Sequence, residues 1–172
     1  MKSNSNNILK EWILPIAAAI ILSIFVKKTL FFTAEVPTGS MIPTIEISDR
    51  IIVTKVYNKS SLQRGSIVLF NSKELNLVLA KRLIGLPGEK VEIKDNGTVY
   101  INNNKLDEPY VIRKDTKPAN FQVPDGSYLF FGDNRIDSFD ARYWKNPYIP
   151  GNEILGKARF IYYPFNRMGI LK

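Results

Sequence analysis

The chain opens on a polar stretch and then runs from residue 12 to residue 26 (WILPIAAAIILSIFV) without a charge. Apolar side chains fall on every face of this run, as in a helix surrounded by lipid or core, and not on one stripe. Fifteen residues at about 1.5 Å each reach roughly 22 Å, short of a ~30 Å hydrocarbon layer. Lys27 and Lys28 then precede a second apolar stretch, TLFF. With lysine stems lying along the apolar layer and their ammonium groups at the headgroups, apolar character continues to Phe32. Trp12 at one end and Phe31-Phe32 at the other suit the two interfaces. The pattern predicts a membrane anchor over 12–32 behind a short polar tail, 1–11. A cleaved leader is one alternative, but no small-x-small site follows the run before Lys27. A buried helix of a soluble core is the other. Charge does not orient the anchor, since Lys27 and Lys28 balance Lys2, Lys10 and the amino terminus.

Beyond Phe32 the period changes. Short runs rich in β-branched and aromatic residues are separated by turn residues, at 50–57 (RIIVTKVY), 66–70 (SIVLF), 76–84, 91–94, 98–102, 127–131 and 157–163. Asp95-Asn96-Gly97 marks a hairpin, because Asn-Gly accepts the positive φ of a tight turn. This spacing predicts a mainly antiparallel β structure, as a barrel or packed sheets. Residues 102–120 are polar and carry Pro109 and Pro118, which reads as a loop or an inserted lobe.

Composition narrows the chemistry. A length of 172 residues allows one compact domain with an annex, and 45% hydrophobic residues can supply its core. There is no cysteine and no histidine. That excludes disulfides, thiolate and Ser-His-Asp catalysis, and most zinc sites. Any hydrolysis needs another base. The net charge of +8 is spread along the chain with no run of five basic residues. It predicts a generally basic surface, not an arm for nucleic acid.

Three segments can carry chemistry. In Pro37-Thr38-Gly39-Ser40-Met41-Ile42-Pro43-Thr44, two prolines stiffen a turn that presents Ser40; an ordinary turn beside the membrane would look the same. In Leu79-Ala80-Lys81-Arg82-Leu83-Ile84-Gly85-Leu86-Pro87-Gly88-Glu89, Lys81 ends an apolar strand. Burial there would lower its pKa and let the neutral amine take a proton from a hydroxyl; a lysine whose amine reaches solvent is the alternative. In Gly132-Asp133-Asn134-Arg135-Ile136-Asp137-Ser138-Phe139-Asp140-Ala141-Arg142, Asp140 and Arg142 are spaced to brace a loop, and Ser138 to orient an amine. A solvated loop is the alternative. There is no G-x-S-x-G elbow, no S-x-x-K and no phosphate-binding glycine loop. The cluster Asp133, Asp137 and Asp140 leaves carboxylate chemistry open, although none lies in an apolar stretch.

An apolar anchor followed by P-[ST]-G-S-M-x-P-T, K-R-x-x-G-x-P-G-[DE] and G-D-N-R-x-x-S-x-D-x-R resembles the bacterial type I signal peptidase family in both order and spacing. The resemblance covers the chain from the anchor almost to its end. It implies Ser40 as nucleophile, Lys81 as general base, Ser138 as the hydroxyl that holds the lysine amine, and Thr38 as a second oxyanion donor. Asp140 and Arg142 match a bracing pair, with Gly132 and Asp133 opening the same loop. Val36, Pro37, Met41, Ile45, Leu79 and Ala80 match the apolar wall of the substrate cleft. Thr38 stands where serine is usual, Ala141 where serine is common, and Ala80 where a larger aliphatic is frequent. The implied organisation is a cytoplasmic tail (1–11), one transmembrane anchor (12–32) and an extracytoplasmic peptidase domain (33–172) with an inserted β lobe near 89–125. The implied partners are signal peptides of exported preproteins, cut after a small-x-small motif, and the phospholipid bilayer. No cofactor, metal or nucleic acid is expected, and a monomer is. A short chain with one anchor looks like the compact members typical of Gram-positive bacteria. A self-cleaving Ser-Lys protein and a tethered, non-catalytic β domain are the competing readings.

Overall fold

The computed structural model describes residues 9–171. The apolar run is helical, with a π-helical turn at Leu9–Ile13 leading into α1 (Leu14–Leu30). A proline lies in the first turn of α1, directly after the π-helical turn. No residue of α1 is buried, and Lys10–Leu30 is long and apolar enough to cross a membrane. Most of the tail expected over 1–11 lies outside the described residues.

The helix stops earlier than the hydrophobic pattern suggests. Phe31 is already extended (φ −149°, ψ 164°), and Phe31 and Phe32 open a strand. Their aromatic rings and the following threonine suit a strand, and a free edge is available to pair with.

The strands are β1 (Phe31–Glu35), β2 (Arg50–Lys55), β3 (Ile67–Ser72), β4 (Leu77–Gly85), β5 (Lys90–Ile93), β6 (Val99–Ile101), β7 (Asn104–Lys105), β8 (Ala119–Gln122), β9 (Ser127–Phe131), β10 (Tyr148–Pro150), β11 (Ile154–Tyr163) and β12 (Gly169–Ile170). One sheet runs β1-β2-β11-β3-β4-β9-β10, with β12 added on β11. The other runs β7-β6-β5-β8. The pairings are antiparallel, as the sequence spacing predicts. The small sheet is inserted between β4 and β9, which pair directly with each other through Arg82↔Phe131 and Leu83↔Phe130.

The large sheet is covered on both faces, which is why 66–70 reads as a nearly continuous apolar run. Alternate residues of β3 go to opposite sides. Val68 and Phe70 join Leu83, Phe130 and Phe131, while Ile67 and Leu69 join Met41, Ile45, Ile51 and Val53. Val91, Ile93, Val99, Ile101 and Phe121 of the small sheet belong to the first of these clusters. The inserted sheet is therefore fused to the main core. At the β5–β6 turn Gly97 has φ +73°, and a Cβ there would lie 2.6 Å from the Asp115 carbonyl.

Phe70 is fully buried, stacks on Phe130 at 4.4 Å between ring centroids, and meets the edge of Trp144 at 6.2 Å. Phe70→Ala is expected to cost about 3–5 kcal/mol. Phe165→Ala, at a ring that is 79% exposed, should cost under about 0.5 kcal/mol. Denaturant unfolding in detergent micelles measures both.

Candidate active site

The site is assembled from three places. The first is the loop over 36–49, between β1 and β2. Met41 and Ile45 are pressed into the core with essentially no exposure. The loop closes on itself through Val36 N–H donating to the Asp49 carbonyl (3.0 Å) and Ser48 N–H to the Val36 carbonyl (2.8 Å). Ser40, directly before Met41, is thereby held nearly buried. Its hydroxyl lies 3.4 Å from the Thr38 hydroxyl.

The second is β4. Ala80 packs with the cluster beneath the Ser40 loop. Lys81, next along the strand, pairs with Val68 and is 3% exposed. Its Nζ donates to Ser138 Oγ at 3.1 Å. Burial lowers its pKa from 10.5 to about 8. The Asp140 carboxylate pulls it back up, the Arg142 guanidinium presses it down, and Asp133 again raises it.

The third is the loop over 132–142, which follows β9 and so emerges beside β4. Asp140, with no exposed surface, receives Arg142 Nε and Nη2 at 2.8 Å each and the Gly132 N–H at 2.8 Å. Asp133 receives Arg82 Nε and Nη2 at 2.7 and 2.6 Å, and the Thr44 hydroxyl at 2.5 Å. Asn134 reaches across to the Ser40 loop: its N–H donates to the Ser40 carbonyl and its side-chain amide to the Gly39 carbonyl, both at 3.1 Å. A Cβ on Gly132 would overlap the Ser138 side chain and come within 2.5 Å of the Ser40 carbonyl. Gly132 is thus the point where the Ser40 loop and Ser138 meet.

Ser40, Thr38 and Lys81 line one cleft of about 250 Å³. In this structure the Lys81 amine is bonded to Ser138 and the Ser40 hydroxyl is near Thr38. Of the expected apolar wall, Val36, Pro37, Met41, Leu79 and Ala80 line the cleft. Ile45 does not. It is fully buried beneath the loop, where it secures the turn. Ala34, Ile51, Leu69, Leu77 and Val78 complete the wall. Nothing in the local sequence marks these five, because they come to the cleft through strand pairing. Thr44, Arg82 and Asn134 are also missed. Thr44 and Asn134 are polar residues of turn-like segments and Arg82 lies in β4, and the contacts Thr44–Asp133, Arg82–Asp133 and Asn134–Gly39 span 89, 51 and 95 positions.

A serine hydroxyl and a desolvated amine in an apolar cleft are the equipment of an acyl-transfer hydrolase working without histidine. Comparison with known proteins specifies the class. The sequence model of the family described as "Signal peptidase, peptidase S26" matches residues 9–163. Signal peptidase I T of Bacillus subtilis is 37% identical across 97% of this chain and 91% of its own. Probable signal peptidase I-2 of Synechocystis is 37% identical across 89% of this chain and 72% of its own. A crystal structure of a signal peptidase I from Enterococcus faecalis is 34% identical with a TM-score of 0.50, covering 56% of this chain and 96% of that one. The chain belongs to the signal peptidase family, peptidase S26, and is a serine endopeptidase.

Gly132→Ala should cost about 1–3 kcal/mol through overpacking. It should also cut peptidase activity at least about tenfold, because the carbonyl it displaces is that of Ser40. Thermal unfolding and peptide cleavage, measured on the same preparation, report the two effects.

Proposed function

We propose that this protein removes N-terminal signal peptides from exported preproteins by a Ser40–Lys81 dyad, cutting after a small-x-small motif. The observation that carries the reading is the lysine amine of lowered pKa in the same apolar cleft as the Ser40 hydroxyl. Neutral Lys81 accepts the Ser40 proton as Oγ attacks the scissile carbonyl. The Ser138 hydroxyl accepts one amine hydrogen and orients the nitrogen lone pair. The Ser40 N–H and the Thr38 hydroxyl stabilise the oxyanion. The intermediate collapses, the lysine ammonium protonates the leaving amine, and the acyl group remains on Ser40. Water then attacks the ester, again with Lys81 as base, and regenerates the serine. The Asp140–Arg142 pair, with Gly132 and Asp133, holds the loop that carries Ser138.

The cleft's apolar walls suit alanine-sized side chains of an extended substrate and exclude large ones by clash. Its position suits a membrane-bound substrate. Strand β1 starts where α1 ends, and Ala34 lines the cleft only four residues beyond Leu30, about 13 Å along a strand. With the helix that ends at Leu30 spanning the cytoplasmic membrane of a bacterium and the N-terminal tail inside, the peptidase domain stands on the outer side as a monomer. The end of a signal helix then meets the cleft without leaving the bilayer.

Processing of an A-x-A preprotein in lipid vesicles is expected to fall about 10³-fold or more in Ser40→Ala and in Lys81→Ala. Lys81→Arg should be equally inactive, since a guanidinium does not deprotonate. Processing that survives any of these changes removes the dyad. A second measurement is the pH dependence. Below its pKa Lys81 holds a proton and is no base, so kcat/KM should rise with pH through about 8 and then level. A maximum near pH 4 would point instead to the carboxylates.

A further inference from the structure

The segment between β7 and β8 reads from sequence as a polar loop, yet it supplies two carboxylates to the 132–142 loop and an aromatic ring to Arg82. Glu108 pairs with Arg135 through both of its oxygens, and the two side chains are 4% and 3% exposed. Arg135 Nε in turn donates to the Gly132 carbonyl at 2.9 Å. Asp115 accepts from Arg142 Nη1 at 2.8 Å and from the Tyr143 hydroxyl. Arg142 grips Asp140, whose Oδ2 accepts the Gly132 N–H at 2.8 Å. Tyr110 lies face-on over the Arg82 guanidinium at 3.9 Å, and Arg82 is bidentate on Asp133. Of the two peptide groups that flank Gly132, one is therefore held by Arg135 and the other by Asp140, which Arg142 grips, and each of these arginines is held by a carboxylate from the same segment.

This arrangement exceeds what keeping a loop folded requires. Gly132 touches Ser138 and the Ser40 carbonyl, so a shift of Gly132 moves the nucleophile loop and the Lys81 partner together. The buried, bidentate Glu108–Arg135 pair fixes orientation as well as distance, and Asp115 adds a single contact to Arg142. We propose that Glu108 and Asp115 are positioning residues of the peptidase: the segment is a strap that sets the register of Gly132, and through it the alignment of Ser40 with Lys81. The proposal rests on the Ser40–Lys81 reading. Neither carboxylate touches the cleft, so neither contributes to substrate affinity. Their loss acts on the chemical step, where a displacement of about 1 Å can cost on the order of 100-fold.

The test uses the full chain in lipid vesicles with a preprotein substrate. Glu108→Ala and Asp115→Ala are expected to lower kcat at least tenfold with KM within twofold of the parent. Asp115→Asn, whose one oxygen can still accept from both Arg142 and Tyr143, should recover most of the activity, and Glu108→Gln, which keeps one of two accepting oxygens, only part of it. The Ala variants should also show the rising limb of the pH–rate profile moved to higher pH, because water admitted beneath the strap relieves the burial that holds the Lys81 amine low. Circular dichroism at the assay temperature gives the folded fraction. Parent-like kcat in both folded Ala variants overturns the proposal. So does a loss of rate that disappears when activity is expressed per folded molecule. Ser40→Ala and Lys81→Ala run alongside. If either keeps processing, the dyad reading itself falls and takes the proposal with it. If both are inactive and the strap variants are not slowed, only the strap is refuted.

Discussion

The structure turns on one buried amine. A lysine brought into a protein interior disfavours its charged form, and a pKa lowered from 10.5 to about 8 corresponds to about 3 kcal/mol set against the ammonium in the folded state. The unfolded chain binds the proton more tightly, so this cost is fully present below about pH 8 and is relieved as pH rises toward 10.5. The surroundings show how the cost is borne. Among the described residues the buried arginines, Arg82, Arg135 and Arg142, each hold a carboxylate: Asp133, Glu108 and Asp140. The buried lysine holds a hydroxyl instead. A direct carboxylate partner would restore its charge.

That requirement explains the architecture around it. Lys81 lies in the middle of a nine-residue strand, paired with Val68 of β3 and next to Arg82, where the pairing with β9 begins. Its neighbours Val68 and Leu83 are fully buried. Ser40, by contrast, belongs to a loop, and Met41 and Ile45 hold that loop down by burying apolar surface. The 132–142 loop closes the assembly because β9 pairs with β4. The strand pairing delivers Ser138 to Lys81 as directly as it delivers Phe131 opposite Arg82. Rigid strand, pinned turn and strapped loop each limit one component, and their meeting point leaves room only for a glycine at 132.

The small sheet has a part in this that its size does not suggest. Its strands are four residues or fewer, and its inner residues share the core of the large sheet. Its connecting segment carries the carboxylates that reach Arg135 and Arg142. An insertion between two paired strands can be long at modest entropic cost, and here the added length returns to the site and is used there.

The elements with strong local signals were legible in the sequence. The apolar run reads as a helix for lipid or for a core, because no face of it is polar enough for water, and the structure leaves it unburied by the domain. Alternation and β-branching placed most of the large-sheet strands, and Asn96-Gly97 placed a turn. The absence of histidine and cysteine left Ser40 and Lys81 among few possible reagents, and the spacing of Asp140 and Arg142 left them able to pair. The tertiary structure decided what depended on partners distant in sequence. Phe31 and Phe32 became strand because β2 offered an edge. Ile45 became core and not cleft wall. Glu108 and Asp115, which look like solvated loop residues, became the support of arginines 27 positions further on, and Tyr110 covers Arg82, which precedes it. A side chain's type and period are local properties, so sequence shows them. Burial and pairing are properties of what folds against it, and at this site they lower the pKa of an ordinary lysine.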